Sequence, residues 1–353
     1  MAGGTGGHVF PALAVAEALR ARGEQVRWLG TRRGLEAQLI PRFGFEIDYI
    51  SVTGLRGKGI TGWLLAPLRL SVALFQALGV CYRARPRVVL GMGGFVTGPG
   101  GIASWLLRRP LVIHEQNAIA GLTNRWLMRF ARQVLQAFPG TFPPRDNLFT
   151  TGNPLRGAIT QIDTPEQRFA ARQGPLRVLV IGGSLGALAL NQTVPRALAR
   201  TKPVHPLEIW HQAGKQKDSE TAALYRELEM DARVEAFIDA MDAAYAWADL
   251  IVCRAGAMTV SEISAVGLAA ILVPYPHAVD DHQTANARYL SEAGAAVLVQ
   301  QVELTEQRLA EELSRIADGG RAQLLEMAKR ARALGRPEAT QQVVAHCLEV
   351  AGG

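Results

Sequence analysis

Short apolar runs, glycine-rich turns and helix-like segments alternate along this chain. The stretches 25–29, 87–91, 176–181, 207–211, 234–237, 250–253 and 270–273 are short and rich in apolar residues, as buried strands are. Leu111 opens another, which ends in the polar edge His114-Glu115-Gln116-Asn117. Most of these runs lead into glycine-rich loops, and several of those loops open helices, as at 188–200. This alternation predicts an α/β protein built from two Rossmann-like, doubly wound domains with a ligand cleft between them. The expected partition is a first domain over 1–157, a polar linker over 158–175, a second domain over 176–335 and a C-terminal segment over 336–353. The helix expected at 337–350 folds back over the first domain.

The chain start breaks the pattern. A glycine loop of the kind at 3–8 follows a strand, yet only Met1 and Ala2 precede Gly3. The first strand of a doubly wound sheet has neighbours on both sides. Its absence is expected to leave two open strand edges and an apolar groove, with the true start upstream.

Composition narrows the class. With 353 residues, 48% hydrophobic and 20% charged, the chain can bury two sizeable cores. The cysteines Cys81, Cys253 and Cys347 are scattered and odd in number, which argues against a disulfide framework or zinc finger and for a reducing compartment. No apolar run reaches the ~20 residues that span a bilayer, and no secretory signal opens the chain. The net charge of +7 suits anionic partners. Nucleic acid is not expected, because arginine-rich tracts, RNP-like motifs and zinc fingers are missing.

Chemistry-bearing residues gather at the glycine turns. In 248–262 a buried strand runs through a tight turn at 254–257 into a helix, the geometry that offers backbone N–H groups to an anion. Glu262, about one turn inside, suits the two hydroxyls of a ribose. Thr259 to Glu262 equally fits a capping box, in which the glutamate only satisfies a backbone N–H. The loops at 3–8, 91–101 and 182–187 are further phosphate-cradling candidates, and Ser184 has a hydroxyl to donate. An unperturbed histidine has its pKa near neutrality, so a histidine at this mouth, His8, serves either as a general base or as a turn cap. Glu115 is a candidate to position a base, and Asn117 one to read a sugar hydroxyl or amide. His277, Asp280, Asp281 and His282 have no metal-site spacing, and Gln283 and Asn286 fit sugar recognition better. Arg56, Lys58, Trp63, Leu64 and Arg69, with Leu65, Leu68 and Phe75, compose either an anionic-membrane face or a helix buried against a sheet.

Taken together, these motifs carry a resemblance. The segments 3–11, 54–59, 91–100, 114–117, 152–156, 209–212 and 248–262 resemble the MurG family of bacterial UDP-N-acetylglucosamine transferases, in glycosyltransferase family 28. The resemblance covers nearly the whole chain. It implies a GT-B fold and inverting, β-1,4 transfer of GlcNAc from UDP-GlcNAc to the C4 hydroxyl of undecaprenyl-diphosphate-linked MurNAc-pentapeptide. By position it makes Thr5, Gly6, Gly7, Asn117, Arg156, Ser184, Ile238, Ala257, Met258, Thr259, Val260, Ser261, Glu262 and Gln283 donor contacts. Ile238 would meet the uracil through its backbone, Glu262 the ribose, Ser184 and the helix near Met258 the diphosphate, and Asn117 and Gln283 the GlcNAc. Gly3, Gly4, Gly93 and Gly94 would face the acceptor diphosphate. His8 is the implied base, with Glu115 next. No cofactor or metal is implied, since UDP-GlcNAc is a substrate. The implied place is peripheral, on an anionic membrane at its cytoplasmic face, with room for contacts to other cell-wall synthesis proteins. Leu185 and Ala255 depart from residues common in the family, glutamine and serine. A UDP-GlcNAc 2-epimerase-like enzyme of the same fold and another GT-B glycosyltransferase are the competing readings.

Overall fold

The computed structural model describes residues 1–52, 66–170, 172–183, 185–201 and 206–352. It forms two compact units, one of 1–156 with 337–353 and one of 157–336.

The second unit is a six-stranded sheet in the order β12-β11-β10-β7-β8-β9. Its strands are β7 (Leu176–Ile181), β8 (Leu207–Gln212), β9 (Arg233–Glu235), β10 (Leu250–Cys253), β11 (Ala269–Leu272) and β12 (Ala296–Leu298). All pairings are parallel. Apart from Arg177 in β7, the central strands β7, β10 and β11 are apolar because helices cover both faces, and Val178, Val180, Val252 and Ile271 join one core. The stretch expected to be a linker folds into helices Gly157–Thr160 and Pro165–Ala170. Phe169 enters the core of this unit. The buried Arg168 guanidinium caps a helix end, donating to the carbonyls of Val266 and Gly267 at 2.8 and 2.5 Å. Arg168 is buried by these bonds, while Gln161, Asp163, Glu166 and Gln167 of the same stretch stay exposed.

The first unit has a parallel pair, β1 (Arg27–Gly30) and β2 (Glu46–Tyr49), and a parallel four-stranded sheet. The latter holds β3 (Val89–Gly91), β4 (Leu111–Glu115), β5 (Gln133–Gln136) and β6 (Leu148–Thr150). Helix Ala339–Gly352 belongs to this unit, with Val343, Val344 and Cys347 packed against Val15, Val112 and Leu135.

Among the described residues, β1 pairs only with β2, and β3 only with β4. Met1 takes one position of a strand beside β3: its ammonium donates to the Leu90 carbonyl at 2.7 Å, and its carbonyl accepts from Met92 N–H at 2.8 Å. That is the parallel pattern about Gly91. Behind it lies a cavity of about 260 Å³ lined by Trp28 and Leu29 of β1, Val89 and Leu90 of β3, and Val15 and Cys347 from helices.

Candidate functional site

In the first unit the site starts at helix Gly6–Ala21. Its N-cap, Thr5, makes no side-chain capping bond. The Thr5 carbonyl accepts from the N–H groups of His8 and Val9, so those of Gly6 and Gly7 head the helix. Two loops meet here at contact distance. A Cβ on Gly94 would lie 2.2 Å from the Gly3 carbonyl oxygen, and one on Gly93 would lie 2.6 Å from His8 Nδ1. Gly93 and Gly94 also hold φ of +93° and +81°, which side chains other than glycine rarely adopt. The buried Glu36 ties the first loop down, accepting from Gly4 N–H at 2.9 Å and from Thr31 N–H at 2.8 Å. The Gly4 N–H, expected to face a diphosphate, is thus spent inside the protein. The first task of Gly93 and Gly94 is to let the two loops and the His8 ring approach one another, whereas Gly3 makes room for the Glu36 carboxylate, which a Cβ there would meet at 2.7 Å.

His8 Nδ1 stands 3.0 Å from Gln116 Oε1. Glu115 does not have the place expected of a base. It is buried, and its carboxylate accepts from Asn117 N–H and Nδ2 on one oxygen and from Gly121 N–H and Asn124 Nδ2 on the other, at 2.9–3.3 Å. A carboxylate with four donors holds the chain turn after β4 and has little capacity left for a substrate proton. Asn117 is fixed by that same network, and Arg156 is exposed at the end of the unit.

In the second unit, helix Ala257–Val266 follows β10 through the turn at 254–256. Its N-cap is Gly256, with no side-chain cap. Thr259 lies within the first turn of the helix, so the capping-box alternative for Thr259 and Glu262 does not hold. Glu262 instead accepts from the hydroxyl of the buried Tyr245 at 2.8 Å. Val260 and Ala257 are buried, while Met258, Thr259, Ser261 and Glu262 are partly exposed on the same helix. Ile238 donates its backbone N–H to Gln212 Oε1 at 3.0 Å, which leaves its carbonyl as the backbone group for a base. Gln212 Nε2 donates to the Gly183 carbonyl at 3.0 Å, so one buried amide joins the third glycine loop to 238. Gln283 Oε1 accepts from Tyr275 N–H at 2.9 Å, and Asn286, fully buried, donates to the Ala255 carbonyl at 3.2 Å. Ser184, Arg56, Lys58, Trp63 and Leu64 lie outside the described residues, whereas Arg69 is exposed on helix Ala66–Ala84. No group of three or more His, Cys, Asp or Glu among the described residues is placed to hold a metal ion.

Comparison with known proteins places these two half-sites in a family. The glycosyltransferase family 28 N-terminal domain matches residues 1–136, and the family 28 C-terminal domain matches residues 177–343. A UDP-N-acetylglucosamine–N-acetylmuramyl-(pentapeptide) pyrophosphoryl-undecaprenol N-acetylglucosamine transferase of Marinobacter nauticus is 56% identical over 100% of this chain and 97% of its own length. A protein of the same name from Nitrosococcus oceani is 55% identical over 100% and 98%. The crystal structure of Acinetobacter baumannii MurG superposes with a TM-score of 0.87 at 43% identity, covering 99% of this chain and 98% of that one.

The chain belongs to the MurG branch of glycosyltransferase family 28. Its two units have the GT-B fold. A UDP-N-acetylglucosamine 2-epimerase also superposes, with a TM-score of 0.67, but at 13% identity this likeness shows the fold alone.

Several working residues of this family 28 chain carry no signal in sequence. Glu36, Gln116, Gln212 and Tyr245 each make a hydrogen bond to a partner 17 to 108 positions away. Only Gln116 and Gln212 stood inside motifs, His-Glu-Gln-Asn and Ile-Trp-His-Gln, which drew attention to them without giving a role.

Proposed function

We infer that the chain transfers GlcNAc from UDP-GlcNAc to the C4 hydroxyl of undecaprenyl-diphosphate-linked MurNAc-pentapeptide, with inversion, to form a β-1,4 bond. In peptidoglycan terms it converts lipid I to lipid II. The observation that carries this is identity of 55–56%, over the full chain, to transferases whose name states the donor, the acceptor and the group transferred.

The donor is assigned mainly to the second unit. The Ile238 carbonyl accepts from the uracil. Glu262, oriented by Tyr245, accepts from the ribose hydroxyls. The N–H groups opening helix Ala257–Val266, with Ser184, face the diphosphate, where the helix dipole stabilises the negative charge that builds up as UDP departs. Gln283 offers its amide N–H to GlcNAc, since its oxygen is engaged by Tyr275. Thr5, Gly6, Gly7, Asn117 and Arg156 are assigned as further donor contacts from the first unit. Gly93 and Gly94 shape the acceptor side. His8 removes the proton from the C4 hydroxyl as it attacks the anomeric carbon. Inversion requires only that one base, on the face opposite UDP.

Membrane association is assigned to helix Ala66–Ala84. It buries a narrow stripe of small residues, Ala66, Ala73, Ala77 and Cys81, and turns Leu68, Leu70, Val72 and Phe75 outward beside the exposed Arg69. No helix among the described residues is long and apolar enough to cross a membrane. An apolar ridge with a cation suits an anionic lipid surface, where the lipid-linked acceptor resides.

The test is incubation with UDP-GlcNAc, with and without a lipid-linked MurNAc acceptor. Disaccharide product and UDP release that require the acceptor support transfer. Epimerised UDP-sugar without acceptor, or no consumption at all, overturns it.

A further inference from the structure

The motif His114-Glu115-Gln116-Asn117 has two members with no part in the proposed chemistry, His114 and Gln116. Both are buried at the end of β4. His114 Nε2 lies 2.9 Å from the Gly152 carbonyl oxygen. A carbonyl only accepts, so this nitrogen carries a proton. Burial lowers the His114 pKa to about 4, which leaves the ring neutral near pH 7 and its Nδ1 a bare acceptor. Gln116 Nε2 lies 3.0 Å from that Nδ1 and 3.2 Å from the His114 carbonyl, two acceptors that both call for the amide NH2 group. The flip of the Gln116 amide is therefore decided, and its Oε1 is turned toward His8 Nδ1 at 3.0 Å. An amide oxygen requires a donor opposite it. Gly93 packs against the same ring, since a Cβ there would stand 2.6–3.2 Å from His8 Nδ1, Cε1 and Cγ.

We propose that Gln116, oriented by His114, is a positioning residue that fixes His8 as its Nδ1–H tautomer and so presents Nε2 as the basic nitrogen. The proton stays on Nδ1, hydrogen-bonded to Gln116, while the lone pair of Nε2 points away from the chain Gly152–His114–Gln116. In a neutral imidazole only one nitrogen is basic, so a fixed tautomer decides which atom receives the substrate proton. The proposal rests on the reading of His8 as the base.

The measurement is the ¹⁵N shift of the two ring nitrogens of His8 in ¹⁵N-histidine-labelled full-length protein at neutral pH, with His114 as internal reference. The parent should show His8 as Nδ1–H and His114 as Nε2–H. Gln116→Met removes the side-chain hydrogen bonds to His8 and His114 while keeping the volume, so His8 should move toward the Nε2–H form. Its kcat should fall about 10- to 10³-fold with donor KM within about twofold. His8 found as Nε2–H in the parent overturns the proposal, whether or not the variant folds. So does a variant that keeps the parent tautomer. If the tautomer moves as expected but kcat does not, Gln116 stands as the positioning residue and the base reading of His8 falls.

Discussion

At the scale of single residues, the proposed roles of Glu262 and His8 divide binding from chemistry. Under that proposal Glu262 touches a part of the donor that does not change during reaction, so Glu262→Ala should raise donor KM more than it lowers kcat. Loss of charge-assisted hydrogen bonds corresponds to about 1.5–3 kcal/mol of donor affinity. Titration calorimetry with UDP checks this, and unchanged affinity would remove Glu262 from the donor site. His8→Ala should leave UDP affinity within about twofold and lower kcat by about 10²–10⁴-fold. A loss below tenfold would place the base elsewhere. Glu115 makes a contrasting case. Glu115→Gln would set an amide NH2 against N–H donors now satisfied at 2.9–3.3 Å, so it should lower the melting temperature by a few degrees. Below the transition it should retain the parent pH–rate profile, and a lost limb of that profile would make it the base after all. The three residues differ in how far sequence could go. His8 and Glu262 lie at glycine turns whose geometry already suggests an anion site. The role of Glu115 follows from four donors, two of them backbone N–H groups, and no residue pattern signals that.

At the scale of elements, strands covered on both faces were legible as apolar runs. β7 and β10 fall at 176–181 and 250–253 in both sequence and structure. β5 was not legible. Its sequence, Gln-Val-Leu-Gln, is wholly buried, but both glutamines look polar until their partners are seen: Gln133 donates to Glu349, and Gln136 to Thr150. For the apolar stretch that enters helix Ala66–Ala84, the sequence left two readings open, a membrane face or a helix buried against a sheet. Apolar residues occur on more than one face of it, and only the structure shows alanines inward and Phe75 72% exposed. Replacing Leu68 and Phe75 by serine and Arg69 by glutamate should therefore leave the fold intact. It should release the protein from anionic vesicles, while turnover of a soluble acceptor analogue is spared. Parent binding should weaken as salt rises, because the charge attraction is screened beyond about 10 Å at 0.1 M. Co-sedimentation reads both effects, and vesicle binding indifferent to salt and to the substitutions would assign the ridge to another role.

At the scale of the first unit as a whole, the sheet is divided where a doubly wound fold has a central strand. β1 and β3 each keep one edge unpaired with another strand among the described residues, and the cavity beside them is lined mainly by apolar side chains. The parallel bonds of Met1 to β3 give the direction and register that a strand leading into Met1 would follow. In this chain the Met1 ammonium is enclosed, and burial lowers its pKa from 8.0 to about 6. The sign of the resulting pH dependence follows from proton binding. Between about pH 6 and 8 the unfolded state binds more protons at this amine than the folded state does, so stability rises with pH across that window. Below pH 6 both states are protonated and the full cost of the buried charge remains. A five- or six-residue apolar, β-branched extension before Met1 would turn the ammonium into a peptide N–H, cover both edges and fill the cavity. It should raise the melting temperature and the activity together, and abolish the rise in stability between pH 6 and 8. Calorimetry of the chain with and without the extension at those two pH values makes the comparison. Equal stability in all four measurements would mean that the slot takes no strand and that Met1 alone completes the sheet.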